Sequence, residues 1–282
     1  MAIILAILSA VCYGTADFSG GFASRRNSVS AVLVWSQLAG LALVLIFALA
    51  DATAPTPAPA DLLWGAAAGL AGLGGLLFLY RGIARGYVSI VSPMAAVVGA
   101  AVPLVFGVLS GETFSTLAGI GISLCLPGIV LMSWNRRGAL THRDPRRLGF
   151  SLAAGALAGV FFGLFFIAIS VPAEAAGLWP LAVARGTSIL ILLAAAAATQ
   201  RRPVISTDRT AVFLAGVLDM SANIFYVLAL RQGLLAIVTV ITSAYPAQTV
   251  LLSRVVLKER VGAVRAAGIA LALAGIALMS VG

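Results

Sequence analysis

The sequence predicts an all-α integral membrane protein of ten transmembrane helices, arranged as two inverted five-helix repeats. Three observations predict it. The chain carries more apolar residues than a water-facing fold can hide. Its basic residues fall almost entirely on one side of the apolar runs. And one half of the chain repeats the other in a fixed register.

The first observation is compositional. Of 282 residues, 61% are hydrophobic and 10% are charged, and mean hydropathy is +1.10. A domain folded in water must wet its outer face, and this chain has too little polar surface to do so. A helix crosses the hydrocarbon layer with roughly 20 apolar residues. In lipid a helix satisfies its backbone groups within one segment, whereas barrel strands would leave weak alternating patterns, which are absent. Ten spans follow in order, at about 2–22, 29–50, 62–80, 86–109, 116–134, 148–170, 176–199, 210–230, 233–253 and 261–281. The first lacks the basic leader of a cleaved signal peptide and is expected to be a retained span. The Pro-rich piece Ala54–Ala60 (APTPAPA) predicts a stiff extended loop between the second and third spans. The longest polar stretch, Asn135–Arg147 (NRRGALTHRDPRR), divides the chain. It predicts a first repeat over 1–135, a cytoplasmic linker over 136–147 and a second repeat over 148–282.

The second observation is charge. The net charge is +9, yet no basic helix or tail of the kind that grips nucleic acid is present, so no nucleic-acid partner is expected. Alternate loops hold Arg25, Arg26, Arg81, Arg85, Arg136, Arg137, Arg143, Arg146, Arg147, Arg201, Arg202, Arg209, Arg254, Lys258, Arg260 and Arg265, which is 16 of the 18 basic residues. The opposite loops hold Arg231 together with Asp51, Asp61, Glu112 and Glu174, and Arg185 falls inside the seventh span. Positive charge is retained on the cytoplasmic side. The bias therefore predicts a multi-pass protein of the cell (inner) membrane with both termini periplasmic or extracellular.

The third observation is duplication. Shifted by 147 residues, the halves match without a gap from Gly86 to Ser133. Gly86 falls on Gly233, Ile90-Val91 on Ile237-Val238, and Glu112 on Glu259. Gly121–Ser133 (GISLCLPGIVLMS) overlays Gly268–Ser280 (GIALALAGIALMS) with nine of thirteen positions identical. An odd number of spans per copy forces the two copies to enter the membrane in opposite directions. Inverted repeats are the usual architecture of alternating-access carriers, with the substrate site between repeats near mid-membrane.

These residues resemble the drug/metabolite transporter superfamily, specifically proteins with two EamA-type domains. The resemblance rests on LYRGIARGYVSIVSP (79–93) leading to Gly111-Glu112 in the first half. In the second half, ALRQGLLAIVTV (229–240) leads to Lys258-Glu259-Arg260, and YGTADFSGGFASRR (13–26) opens the chain. It implies a secondary transporter of a small metabolite, such as an amino acid or an amphipathic drug-like compound, expected to be an exporter. Protons are a candidate coupling ion, and the chain is expected as a monomer or homodimer in the lipid bilayer. A facilitative channel or a structural membrane protein is the alternative. Family members are usually drawn with cytoplasmic termini, and the charges here place them on the other side.

An enzyme is not expected. Cys12 and Cys125 are isolated in apolar runs, and His142 stands alone in the most basic loop. No nucleophile–base set and no metal cluster can be assembled, so neither catalytic residues, a metal nor another cofactor is predicted.

The candidate substrate-binding residues are polar groups placed where lipid would penalise them. Arg185 lies about nine residues into its span, roughly 13 Å deep, and Asp219 lies at a similar depth in the next. The two can anchor a charged substrate or form a structural ion pair. Asp219, Asn223 and Tyr226 share one helical face, as do Tyr245 and Gln248 in the ninth span. Tyr80, Trp35, Gln37 and Tyr13 are their first-half counterparts. Asp17, beside Gly14 and Gly20-Gly21, is a further candidate or an interfacial partner of Arg25 or Arg26. Pro93, Pro103 and Pro246 predict bends in the fourth and ninth spans. The Gly-rich fifth and tenth spans are expected to pack peripherally or at a dimer contact. Glu112 and Glu259 are expected to cap or pair locally.

Overall fold

The structure is a computed structural model. It describes residues 1–50, 57–85, 87–133, 144–200, 203–256, 258 and 262–281, without the side chains of Tyr80, Ile83, Ala84, Val88, Ser89 and Ser133. His142, Glu259 and most of the central linker lie outside the described residues.

The chain is all-helical over the described residues. In order, the helices are α1 (Ala2–Ala23), α2 (Val29–Ala50), α3 (Pro59–Arg85), α4 (Val88–Leu109), α5 (Thr116–Ser133), α6 (Pro145–Ser170), α7 (Trp179–Ala198), α8 (Arg209–Leu230), α9 (Leu235–Thr242), α10 (Pro246–Val256) and α11 (Ala263–Val281). Among the described residues, nine segments are long and apolar enough to cross a membrane, counting Leu235–Val256 as one, and the shorter apolar helix Thr116–Met132 is the tenth.

Local chemistry sets several helix ends. Asp144 caps α6, its Oδ1 accepting from Arg146 N at 2.9 Å, with Pro145 in the first turn. Proline there costs no hydrogen bond, because that N–H has no intrahelical partner. The helix therefore starts inside the segment expected to be linker. Asp61 accepts from Ala58 N at 3.2 Å in the first turn of α3 and also from Ala173 N at 3.0 Å in the second half of the chain.

The ninth span goes further than the bend expected at Pro246. It is two helices, α9 and α10, separated at Ser243–Tyr245. The chain tightens there: Ala244 N donates to Ile241 O at 3.0 Å and Tyr245 N to Thr242 O at 3.2 Å, and Pro246 then opens α10. Proline has no N–H to continue the ladder. Its counterpart α4 runs unbroken through both Pro93 and Pro103.

Packing follows the duplication. α1 packs on α8 as α6 packs on α3, and α2 on α8 as α7 on α3. The Gly-rich pair α5 and α11, expected at the periphery or a dimer contact, forms an extensive antiparallel contact within the chain. A Cβ at Gly121 would lie 2.5 Å from Gly275 O, and one at Gly128 would lie 2.9 Å from Gly268 O. Under the 147-residue shift Gly121 becomes Gly268 and Gly128 becomes Gly275, so the two contacts are one contact made twice about a pseudo-two-fold axis. Side-chain-free positions let the backbones approach, and dispersion then holds helices together where lipid competes on equal hydrophobic terms.

At the basic end, Asn27 ties the two halves. Its Nδ2 donates to Thr207 O and its Oδ1 accepts from Ser206 N, both at 3.0 Å. Arg26 lies 4.0 Å from Asp208 in the same corner.

Candidate functional site

A cavity of about 450 Å³ lies between the repeats. It is lined by Asp17, Phe18 and Arg25 of the last turns of α1 and the following loop, by Tyr245 and Phe162, and by Arg265 of the first turn of α11. All the lining elements meet in the half of the protein nearest the basic loops. At the other end, Ala236, Val238, Val240 and Ile241 of α9 are buried, each 1% exposed or less.

The break in the ninth span lies at the cavity wall, with Tyr245 and Pro246 among the lining residues. Tyr245 lies between the two helices, lines the cavity and packs against Gly14 of α1. Tyr13 lies behind it, with ring centroids 6.2 Å apart. Tyr13 meets the edge of Phe166 at 6.4 Å, and Phe166 meets Tyr226 at 4.7 Å. The four rings form a column from the cavity to the sealed end. There Tyr226, fully buried, shares a 2.7 Å hydrogen bond with Thr239 of α9.

Asp17 is exposed to the cavity although it sits within the span. Its expected alternative, a pair with Arg25 or Arg26, is not formed. Arg26 faces Asp208, and among the described residues Asp17 has no ion-pair partner. The carboxylate is thus presented to whatever fills the cavity.

Arg185 and Asp219 do pair. Arg185 of α7 donates one guanidinium nitrogen to Asp219 Oδ2 of α8 and another to Gln37 Oε1 of α2. The side chains are 14% and 34% exposed. This cluster is not part of the cavity lining. It forms a second layer, and Tyr13 lies within electrostatic reach of both charges and of Asp17.

The remaining candidates scatter. Asn223 is buried, with Nδ2 donating back to Asp219 O at 2.8 Å. Its Oδ1 and Thr242 Oγ1 are buried without a hydrogen-bond partner among the described residues. Gln248 donates to Thr15 Oγ1 at 3.3 Å, turned toward α1. Trp35 lies apart from the cavity lining: it is 51% exposed, and its Nε1 donates to Pro203 O at 2.8 Å at the basic end. An indole anchors well at a membrane interface because its ring is apolar and its N–H is not. Tyr80 lies on α3, with its side chain outside the described residues.

Phe18, Phe162, Phe166, Thr239 and Thr249 were not among the residues expected from sequence. Aromatic and hydroxyl side chains inside an apolar helix carry no signal of which face they occupy. Among the described residues no group of three or more His, Cys, Asp or Glu could hold a metal ion.

Comparison with known proteins bears on the whole chain. None of the curated proteins compared matches it. A solved structure 17% identical in sequence superposes with a TM-score of 0.75, covering 99% of this chain and 96% of the other, which is a likeness of fold. The EamA-like transporter family matches twice, over residues 1–134 and again over 148–281. With both copies of its helical unit matched, the chain belongs to the EamA-like transporter family and is a membrane transporter of small solutes.

Proposed function

We propose that the protein is an alternating-access exporter that loads an amphipathic metabolite carrying an amine, an amino acid or a related zwitterion, from the cytoplasmic side. The observation that carries this reading is the cavity: it lies toward the basic loops, while α9 is buried at the opposite end. By the charge rule the basic side is cytoplasmic, so the described state faces inward. Asp17 supplies a negative group for an amine, and Phe18, Phe162 and Tyr245 supply apolar and aromatic wall. Arg25, which also lines the cavity, favours an anionic group at the other end of the same molecule.

In this reading the repeats 1–135 and 148–282 rock about the α5–α11 contact, and the linker 136–147 stays cytoplasmic. The Arg185–Asp219–Gln37 cluster forms the layer behind the cavity, with Asp219 and Asp17 as candidate proton carriers for coupling. The test is counterflow in proteoliposomes. Vesicles loaded with a panel of amphipathic amines and zwitterions should accumulate labelled compound of the same class against its gradient. Flux that never exceeds passive equilibration, and that shows no trans-stimulation, would point to a channel and sink the proposal.

A further inference from the structure

At the outer end two carboxylates of the first repeat reach the second: Asp61, which accepts from Ala173 N at 3.0 Å, and Glu112, which acts on α9. α4 ends in a reversal: Ser110 N donates to Phe106 O at 2.9 Å, Gly111 N to Val108 O at 3.1 Å and Glu112 N to Gly107 O at 2.9 Å. Gly111 sits at φ +90°, where a side chain would be strained. This turn aims the Glu112 side chain across to the second repeat. Its Oε1 accepts from Leu235 N at 2.7 Å and its Oε2 from Ala236 N at 3.0 Å.

Those are the first two N–H groups of α9, which have no intrahelical acceptor. A carboxylate there satisfies both and sits at the positive end of the helix dipole. The partners are 123 and 124 residues apart in sequence. Space for the contact is made by Gly107, where a Cβ would lie 2.5 Å from Glu112 Oε2. The hydroxyl tie of α9, Tyr226 to Thr239, joins α8 to α9 within the second repeat and would travel with it. The Glu112 contact instead crosses from one repeat to the other.

We propose that Glu112 is a positioning residue of the transport cycle, a latch that holds the N-terminus of α9 against α4 while the cavity faces the cytoplasm and that lets go when the outer end opens. This deepens the alternating-access reading and rests on it. The eight-residue α9 suits such a part. It is tied by Glu112 at its outer end and freed at its inner end by the break at Ser243–Tyr245.

The experiment reads accessibility and needs no identified substrate. In a background with Cys12→Ser and Cys125→Ala, one reporter is Val238→Cys, buried on α9, probed with a membrane-impermeant maleimide on intact cells. The other is Ser92→Cys, lining the cavity, probed in inside-out vesicles. Glu112→Gln keeps the shape but offers the second N–H a donor in place of an acceptor. Gly107→Ala leaves Glu112 in the chain but takes its place. Either change should raise outer labelling on the order of tenfold and lower inner labelling, because charge-assisted hydrogen bonds of this kind bias a two-state equilibrium by about that much. The double variant should do no more than either single one, since both remove the same contact. Unchanged outer labelling in both folded variants overturns the latch. So does a rise in outer labelling without the reciprocal fall inside. If the two reporters never behave reciprocally, even as candidate solutes are varied on either side of the unmodified latch, then alternating access itself fails, and that outcome is separate.

Discussion

Gly121 of α5 and Gly275 of α11 lie so close that a Cβ on either would sit 2.5 Å from the carbonyl oxygen of the other. The obstacle is backbone on both sides, and backbone does not swing away as a long side chain does. Gly121→Leu is therefore expected to destabilise the fold by roughly 1–3 kcal/mol, the usual cost of overpacking. Because the contact is reciprocal, Gly275→Leu should cost about the same. Unfolding of the two variants in detergent, followed by helical circular dichroism, measures this. A large cost at one glycine and none at the other would argue against the reciprocal contact.

The ion pair calls for a different experiment. Removing one partner leaves the other charge inside the span without compensation. A fully buried pair loses ~3–5 kcal/mol in that case. Asp219 keeps 34% side-chain exposure, so about 2 kcal/mol is expected for Arg185→Met or Asp219→Leu alone. The double variant should recover most of the loss, since neither charge is left. Transport by the recovered double variant then separates two roles. Near-normal flux makes the cluster a brace joining α2, α7 and α8. Flux lost in a protein of normal stability makes it part of the transport chemistry.

Much of this arrangement is readable from the sequence. The depth of Arg185 and Asp219 in adjacent spans predicts that they can meet, and they do. The 147-residue register predicts the duplicated architecture, but not that the Gly-rich α5 and α11 mate with each other within the chain. Other features depend on tertiary contacts that local sequence does not encode. Pro246 marks the broken helix, yet Pro93 and Pro103 mark nothing comparable in α4. Proline removes one hydrogen bond in each case, and what surrounds it decides whether the chain stays helical. Trp35 sits in the apolar α2, where the sequence has no pattern to say which side meets lipid, and it lies apart from the cavity lining. Glu112 stands out as a loop-edge carboxylate, but its partners lie 123 residues away, beyond any helical periodicity.

Asp17 tests the cavity directly. Its carboxylate faces the cavity and pairs with no cation among the described residues. Asp17→Asn should therefore leave stability within about 0.5 kcal/mol of the parent, as for changes away from packing and networks. For an amine-bearing solute the same change should raise the apparent KM roughly tenfold or more, the loss expected for a charge-assisted contact. Proteoliposome flux against solute concentration reads the KM, and thermal unfolding in detergent reads the stability. An unchanged KM for every amine that the protein carries would remove Asp17 from the binding site.

The sealed end yields the last expectation. Tyr226 and Thr239 are both fully buried, and their hydroxyls are 2.7 Å apart. Tyr226→Phe deletes one hydroxyl and leaves Thr239 Oγ1 without that partner in a place water does not reach. The cost of stranding a buried polar group is about 1–3 kcal/mol. Thr239→Val strands the tyrosine hydroxyl in the same way. Removing both at once leaves two apolar groups of nearly the same shape, and the double variant should be closer to the parent than either single variant. Unfolding of the four proteins completes a double-mutant cycle, and simple additivity would mean that this hydrogen bond contributes nothing of its own. Since both residues belong to the second repeat, none of these changes should alter outer accessibility at position 238 as Glu112→Gln does. If Tyr226→Phe opens the outer end just as far, then closure is spread over the whole α8–α9 contact and is not concentrated at the latch.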